Sequence, residues 1–242
     1  MKGVILAGGT GSRLRPLTKA VNKSMLPMGR KTIIEHVLDV HLKAGIKDIV
    51  LVSGPEHFGM LAQLLGSGKD YDCQLTYRVQ DSANGIAAAL GMCEDFIGYD
   101  KFAVILGDNI FEDVDEVANC IKSFDRSDDD YGLVIKEVSD PERFGVVRYP
   151  ISRLDKMSIV EKPTIPPSRD AVLGLYMYTS DVFDIIRGLK PSARGEYEIS
   201  DVNNELTQTK VGSVHRIRHG WVDAGTHESY EKACDMLRKK AS

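Results

Sequence analysis

Near its N-terminus the chain runs Val4-Ile5-Leu6-Ala7-Gly8-Gly9-Thr10-Gly11-Ser12-Arg13-Leu14-Arg15-Pro16-Leu17-Thr18, then continues to Lys23-Ser24-Met25-Leu26-Pro27. Few folds accommodate such a stretch. Val4 to Ala7 is too short and too β-branched for a helix and suits a strand buried on both faces. The run stops at Gly8, Gly9 and Gly11, which lack Cβ, can take positive φ and let a ligand approach the backbone N–H groups. With Arg13 and Arg15 as guanidinium forks and Lys23 as a compact ammonium, the pattern is that of a backbone cradle for phosphate. Without the basic residues the same glycines would serve an ordinary strand-to-loop turn.

Two familiar phosphate loops do not fit. A Walker loop needs glycine followed by lysine and Ser or Thr, whereas this chain has Gly11-Ser12-Arg13. The dinucleotide fingerprint fails because Gly9-Thr10-Gly11-Ser12-Arg13-Leu14 ends in leucine, and the next apolar run, Ile49 to Ser53, ends in serine instead of a ribose-binding acid. Nicotinamide-dependent hydride transfer is therefore disfavoured.

The rest of the chain bounds the answer further. At 242 residues it can bury a sizeable core as a single domain, spanning 1–242. A formal net charge of −4 gives no general attraction for nucleic acid or an anionic membrane, so an anionic ligand must be held by local cations. No apolar run approaches the roughly 18 residues of a membrane span, which implies a cytoplasmic protein. Cys73, Cys93, Cys120 and Cys234 form no C-x-x-C pair and read as buried free thiols.

Strand-like and helical patterns alternate through the first half: Gly3 to Ala7, Ile33 to Ala44, Ile49 to Ser53, Glu56 to Leu65, Leu75 to Val79, Ile86 to Phe96, Phe102 to Leu106, and Val114 to Phe124. Such alternation predicts βαβ units and an α/β fold with a largely parallel sheet. From Tyr131 to Tyr178 the runs are mostly strands, read as antiparallel hairpins laid over that sheet, followed by helices at Asp181 to Leu189 and Ser200 to Thr209. Gly212 to Ile217 then reads as a strand and Thr226 to Lys239 as a closing helix.

Several segments carry chemistry-bearing residues where open α/β sheets place ligands, beyond strand ends. Gln80, with both donor and acceptor, and Gly85 could meet a base edge, although a loop glutamine at a helix start is an equally ordinary feature. Asp108 follows Gly107 at the end of the Val104 strand, and Asp223 lies in Gly220-Trp221-Val222-Asp223-Ala224-Gly225-Thr226; two carboxylates could hold Mg²⁺, a hard ion that prefers oxygen. Glu161-Lys162-Pro163 pairs an acceptor for sugar hydroxyls with a cation for phosphate, or is a surface turn with an incidental charge pair. Arg194 is a further phosphate candidate.

Taken in order, Leu6-Ala7-Gly8-Gly9-x-Gly11-Ser12-Arg13-Leu14 with Pro16, Thr18, Lys23 and Pro27 resembles the opening motif of the sugar-1-phosphate nucleotidylyltransferases. The later segments match in family order up to about Tyr230, and Gln80, Asp140 to Val146 and Pro191 to Asn203 are most similar to the glucose-1-phosphate thymidylyltransferases. The resemblance implies a Rossmann-like three-layer α/β/α fold with a mixed, mostly parallel sheet, residues 1–125 serving mainly the nucleotide and 126–242 mainly the sugar phosphate. It implies nucleotide binding by Leu6, Gly8, Gly9, Gly11, Ser12, Arg13, Gln80 and Gly85, and catalysis by Arg13, Lys23, Asp108 and Asp223, the two aspartates holding Mg²⁺. It assigns the sugar phosphate to Gly145, Glu161, Lys162, Tyr176 and Arg194, with Leu173 to Tyr176 lining the same pocket. The implied substrates are dTTP and glucose 1-phosphate in a homo-oligomer, dimer or tetramer, feeding nucleotide-sugar synthesis such as the dTDP-rhamnose pathway. UTP or CTP as donor, or an inactive nucleotide-sugar-binding regulator, are the alternatives. Ala83, Ala88 and Phe144 depart from proline, glutamine and tyrosine common in relatives. Longer relatives carry C-terminal helices that help form a regulatory site, which this chain is expected to lack or to have altered.

Overall fold

The computed structural model describes residues 1–152 and 156–241. In chain order its strands and helices are β1 (Lys2–Leu6), β2 (Pro27–Met28), β3 (Lys31–Thr32), α1 (Ile33–Ala44), β4 (Asp48–Ser53), α2 (Pro55–Leu65) and β5 (Gln74–Val79). Then follow α3 (Ile86–Gly91), α4 (Glu94–Ile97), β6 (Phe102–Leu106), β7 (Asn109–Phe111), α5 (Val114–Arg126), β8 (Tyr131–Glu137), β9 (Gly145–Arg148) and β10 (Ser158–Glu161). The chain closes with β11 (Asp170–Tyr178), α6 (Val182–Gly188), α7 (Ile199–Thr209), β12 (Gly212–Arg216), β13 (Trp221–Asp223) and α8 (His227–Ala241).

Among the described residues, nine strands form one mixed sheet in the order β10-β9-β11-β6-β1-β4-β5, with β8 joined to β11 and β12 to β8. Its first half is parallel, β1 lying between β4 and β6. The strands after Tyr131 do not lie over this sheet, as the sequence suggested; they extend it. The reason is β11, whose nine residues are all buried and therefore need partners on both edges and cover on both faces. It pairs antiparallel with β8 along one edge, and along the other with β6 and, through Ala171, with β9.

Alternation along the strands divides the interior in two. Val4, Leu6, Val50, Val52, Phe102, Val104, Tyr176 and Tyr178 face α3, α6 and α7, while Ile5, Ile49, Leu51, Ala103, Ile105, Leu175 and Met177 face α1, α2 and α5. Each fully buried Ile, Leu or Val contributes roughly 1.5–3 kcal/mol relative to exposure. The result is a three-layer α/β/α molecule. A third, smaller cluster of Leu14, Leu26, Met28, Ile33, Ile110, Val222, Ala224 and Ala233 ties the N-terminal loop to α8 and to the β7–β13 pair.

Local signals explain most boundaries. Thr32 and Glu35 form a capping box at the start of α1, the Thr32 N–H donating to Glu35 Oε2 at 2.7 Å, and Gly45 ends the helix at φ 88°. The helix expected over Ile86 to Phe96 is interrupted near Gly91, where the Cys93 N–H donates to the Leu90 carbonyl at 2.9 Å and the turn tightens before α4. Of the four free thiols only Cys93 is buried.

Candidate active site

The Gly8–Gly11 loop leaves the end of β1 and is held from beneath. Gly11 sits at φ 63°, and a Cβ there would lie 2.9 Å from Thr18 Cγ2, so only glycine fits. Leu14 is fully buried in the third cluster, and the buried Asn22 accepts from the Ser24 N–H at 2.7 Å. That turn aims Lys23 across the loop, its ammonium 3.8 Å from where a Cβ on Gly9 would stand, to meet the carboxylate of Asp108.

Asp108 follows β6, and its partner arrives from far along the chain. β7 and β13 pair antiparallel with Asp223 opposite Asn109, and the Ala224 N–H donates to the Asp108 carbonyl at 2.9 Å. Two half-buried carboxylates are thereby set beside Lys23. Burial alone would raise Asp108, but the Lys23 ammonium and the Asn109 amide hold it below the usual carboxylate range. Burial likewise opposes the charge of Lys23, yet Asp108, with Asp223 behind it, raises its pKa. Asp223 has no such counter-ion: burial and the charge of Asp108 push it up to about 6, against the pull of Lys23, Arg13 and Arg143. Its Oδ1 is buried with no hydrogen-bond partner. Arg13 borders the same place, since a Cβ on Gly225 would be 2.8 Å from Asp223 Oδ1 and 3.0 Å from Arg13 Nη2. An orphaned carboxylate oxygen beside a second carboxylate suits a hard divalent cation.

Asn109 holds this arrangement together. Its Nδ2 donates to Asp108 Oδ1 at 3.0 Å, while its Oδ1 accepts from the Trp221 indole N–H at 2.8 Å and the Gly174 N–H at 3.0 Å. One amide thus joins β7, β11 and β13 behind the carboxylates.

Two cavities flank the carboxylates. The first, about 250 Å³, is walled by Leu6, Gly8, Gly9, Lys23, Gln80, Gly85 and Asp108, with Ala83, Ile86, Leu106 and Glu196 among the others. The second, about 140 Å³, is walled by Gly145, Glu161, Lys162, Gly174, Tyr176 and Asp223, with Phe144, Asn203 and Trp221 adding to its rim. Ile86 and Leu106 line both. In the second, Glu161 accepts from the Ser200 hydroxyl and lies 3.4 Å from the Lys162 ammonium. Lys162 has φ 42°, the left-handed region a non-glycine residue rarely takes, and its N–H donates to the Phe144 carbonyl at 3.0 Å. Phe144 packs edge-on against Trp221 with ring centroids 5.2 Å apart.

A glycine-rich loop, a lysine–carboxylate cluster and two adjoining cavities are arranged on a fold with known counterparts. Residues 2–240 match the family described as nucleotidyl transferase. This chain belongs to that family. It is 40% identical over 240 residues to the glucose-1-phosphate thymidylyltransferase of Neisseria meningitidis, covering 98% of this chain and 83% of that one. Against the enzyme of the same name from Mycobacterium tuberculosis the figures are 38% over 240 residues, 98% and 82%. A Bacillus anthracis crystal structure in complex with a sucrose, assigned as a glucose-1-phosphate thymidylyltransferase, superposes with a TM-score of 0.91 at 47% identity, over 98% of this chain and 95% of that one. A UDP-glucose pyrophosphorylase complexed with UDP-glucose superposes with a TM-score of 0.84 at 26% identity, over 99% and 98%.

In this nucleotidyl transferase the residues singled out in the sequence mostly converge. Leu6, Gly8, Gly9, Lys23, Gln80, Gly85 and Asp108 share one cavity, and Gly145, Glu161, Lys162, Tyr176 and Asp223 share the other. Gly11, Ser12 and Arg13 form the turn beside the first cavity instead of its wall, and Ser12 and Arg13 are exposed. Arg194 stands at the rim, its guanidinium held by Glu198 at 2.8 Å, Glu196 at 3.6 Å and Glu161 at 3.8 Å. Of the Leu173 to Tyr176 run only Gly174 and Tyr176 line the second cavity; Leu173 and Leu175 point into the opposite core, as strand alternation requires. Asn109, Trp221 and Ser200 act without having been singled out. Trp221, the chain's one tryptophan, was the available hint.

Proposed function

We propose that this nucleotidyl transferase transfers a thymidylyl group from dTTP to glucose 1-phosphate, releasing pyrophosphate and forming dTDP-glucose. A phosphate oxygen of glucose 1-phosphate attacks the α-phosphorus in line; the α–β bridging bond breaks and its electron pair leaves with pyrophosphate. No protein nucleophile is required, so the protein contributes positioning and charge neutralisation. The observation that carries this reading is the Lys23–Asp108–Asp223 cluster set between two cavities that meet at Ile86 and Leu106.

In this reading Gly8, Gly9 and Gly11 present backbone N–H groups to the triphosphate, while Arg13 and Lys23 neutralise it. Gln80 and Gly85 receive the base. Glu161 accepts from sugar hydroxyls, Gly145 and Tyr176 shape the wall, and Lys162 and Arg194 hold the sugar phosphate. Asp108 and Asp223 would hold Mg²⁺, which supplies charge neutralisation at the phosphates when bound. Arg194 would exchange its carboxylate partners for the incoming phosphate.

The test is pyrophosphate release across a panel of triphosphates and sugar 1-phosphates. The highest kcat/KM is expected with dTTP and glucose 1-phosphate. A clear preference for UTP would move the assignment to the reaction named for the UDP-glucose pyrophosphorylase neighbour, and no release with any pair would overturn both.

A further inference from the structure

The side chain that faces a base is Gln80, and its amide can be turned two ways. With Oε1 inward it accepts a hydrogen bond; with Nε2 inward it donates. Its partner in the structure is Asn84. Gln80 Nε2 donates to Asn84 Oδ1 at 2.9 Å, which turns Oε1 the other way, over Gly8: a Cβ on Gly8 would stand 2.9 Å from that oxygen. Among the described residues no hydrogen bond is donated to Oε1, and Gln80 and Gly8 both line the nucleotide-side cavity.

Asn84 is not a loose loop residue. Its N–H donates to the Ser82 carbonyl at 2.9 Å, and its carbonyl accepts from the Tyr197 N–H at 2.9 Å. The next residue, Gly85, sits at φ 108°, and a Cβ there would stand 2.5 Å from the Tyr197 carbonyl oxygen, so both its backbone and its surroundings require glycine. The Ala87 N–H then returns a bond to that same carbonyl at 3.2 Å. Backbone contacts on both sides therefore hold the Asn84 carboxamide at a set distance from Gln80.

We infer that Asn84 is a positioning residue for base selection: by accepting from Gln80 Nε2 it commits Gln80 to present an acceptor, so the site takes imide bases, thymine or uracil, and disfavours cytosine. The chemistry is complementary. Thymine and uracil carry an N3–H donor on the edge that meets Oε1, whereas cytosine carries a lone pair at N3, and two acceptors facing each other leave both unpaired. This rests on the reading of the first cavity as the nucleotide site.

The test compares wild type with Asn84→Ala and Asn84→Asp. Binding of dTDP and dCDP to each is measured by calorimetry in Mg²⁺, and kcat and KM for dTTP and dCTP with glucose 1-phosphate are measured alongside. Wild type is expected to favour dTDP. In Asn84→Ala the Gln80 amide is free to turn, and the dTDP-to-dCDP preference should fall about tenfold, the worth of one such hydrogen bond. The loss should appear in KM, with kcat for dTTP near its starting value. In Asn84→Asp, which can only accept, the preference should persist. A preference unchanged in Asn84→Ala, or lost equally in Asn84→Asp, overturns the inference, as does a wild type that binds both nucleotides alike. If Asn84→Ala does not fold, Asn84→Ser, too short to reach Nε2, takes its place with the same expectation. Preserved dTDP selectivity without turnover on glucose 1-phosphate would defeat the sugar assignment and leave this inference standing.

Discussion

Asp223 is the residue on which the charge balance of the site turns. Its carboxyl is raised to about 6 by burial and by Asp108, and one oxygen has no partner. Between the ordinary aspartate value and pH 6 the folded protein keeps a proton that the unfolded chain has released, so this group's contribution to stability falls as pH rises through that window. Two outcomes follow. Mg²⁺ should raise the melting temperature of the ligand-free protein more above pH 6 than at about pH 5, where protons compete for the same oxygens; equal shifts at both would count against the metal role. Asp223→Asn should lower turnover by orders of magnitude while leaving the ligand-free melting temperature at neutral pH unchanged or higher, because it removes a buried charge facing Asp108. Near-normal activity in Mg²⁺, assayed by pyrophosphate release, would refute it. The identities of these residues were legible in the chain: a carboxylate just past a buried strand is a visible feature. Their unequal protonation was not, because it arises from burial and from the lysine hydrogen-bonding Asp108 and not Asp223.

At the scale of elements, short pieces do the positioning. β7 and β13 are three residues each and carry no periodicity to read, yet their pairing brings Asp223 beside Asp108. The loop before α3 and the segment before α7 are likewise locked by backbone bonds through Tyr197. Gly85→Ala, facing both a positive φ and the Tyr197 carbonyl, should destabilise the fold by roughly 2–4 kcal/mol, seen as a lower urea midpoint. A wild-type midpoint would show that the two loops are not coupled. On α1, His41 is fully buried against β1, and burial lowers its pKa to about 4. Its folded value is depressed, so its contribution is whole above about 6.5 and is lost as pH falls toward 4, by at most about 3 kcal/mol. His41→Leu should therefore flatten the acid limb of stability against pH between those values, measured by urea unfolding; an unaltered limb would exclude it. This runs opposite to Asp223, so the double variant separates the two.

Across the whole molecule, the sheet sets two cavities side by side with the charged cluster at their junction. Because among the described residues only Ile86 and Leu106 line both, binding on the two sides should be separable. Gln80→Ala should raise KM for dTTP while leaving that for glucose 1-phosphate near wild type, and Lys162→Ala should do the reverse; equal effects on both substrates would contradict the division. The alternation of strands and helices, their faces and the glycine–arginine–lysine loop are local properties of the chain, since a two-residue or 3.6-residue apolar period declares which face is buried. So was the list of polar groups available to the site. The antiparallel strands were recognisable as strands but not as an extension of the same sheet, because β11 reveals its neighbours only through burial on both faces. By itself the amino-acid sequence determined an α/β protein with a largely parallel sheet and a loop of closely spaced glycines followed by basic residues. Tertiary structure alone decided that Asp108 meets Asp223, that Arg194 reaches Glu161 beyond its chain neighbours Glu196 and Glu198, and that Gln80 turns its oxygen over Gly8. Each of these depends on contacts between segments distant in the chain, whose register is set by packing and backbone pairing and leaves no pattern in the order of residues.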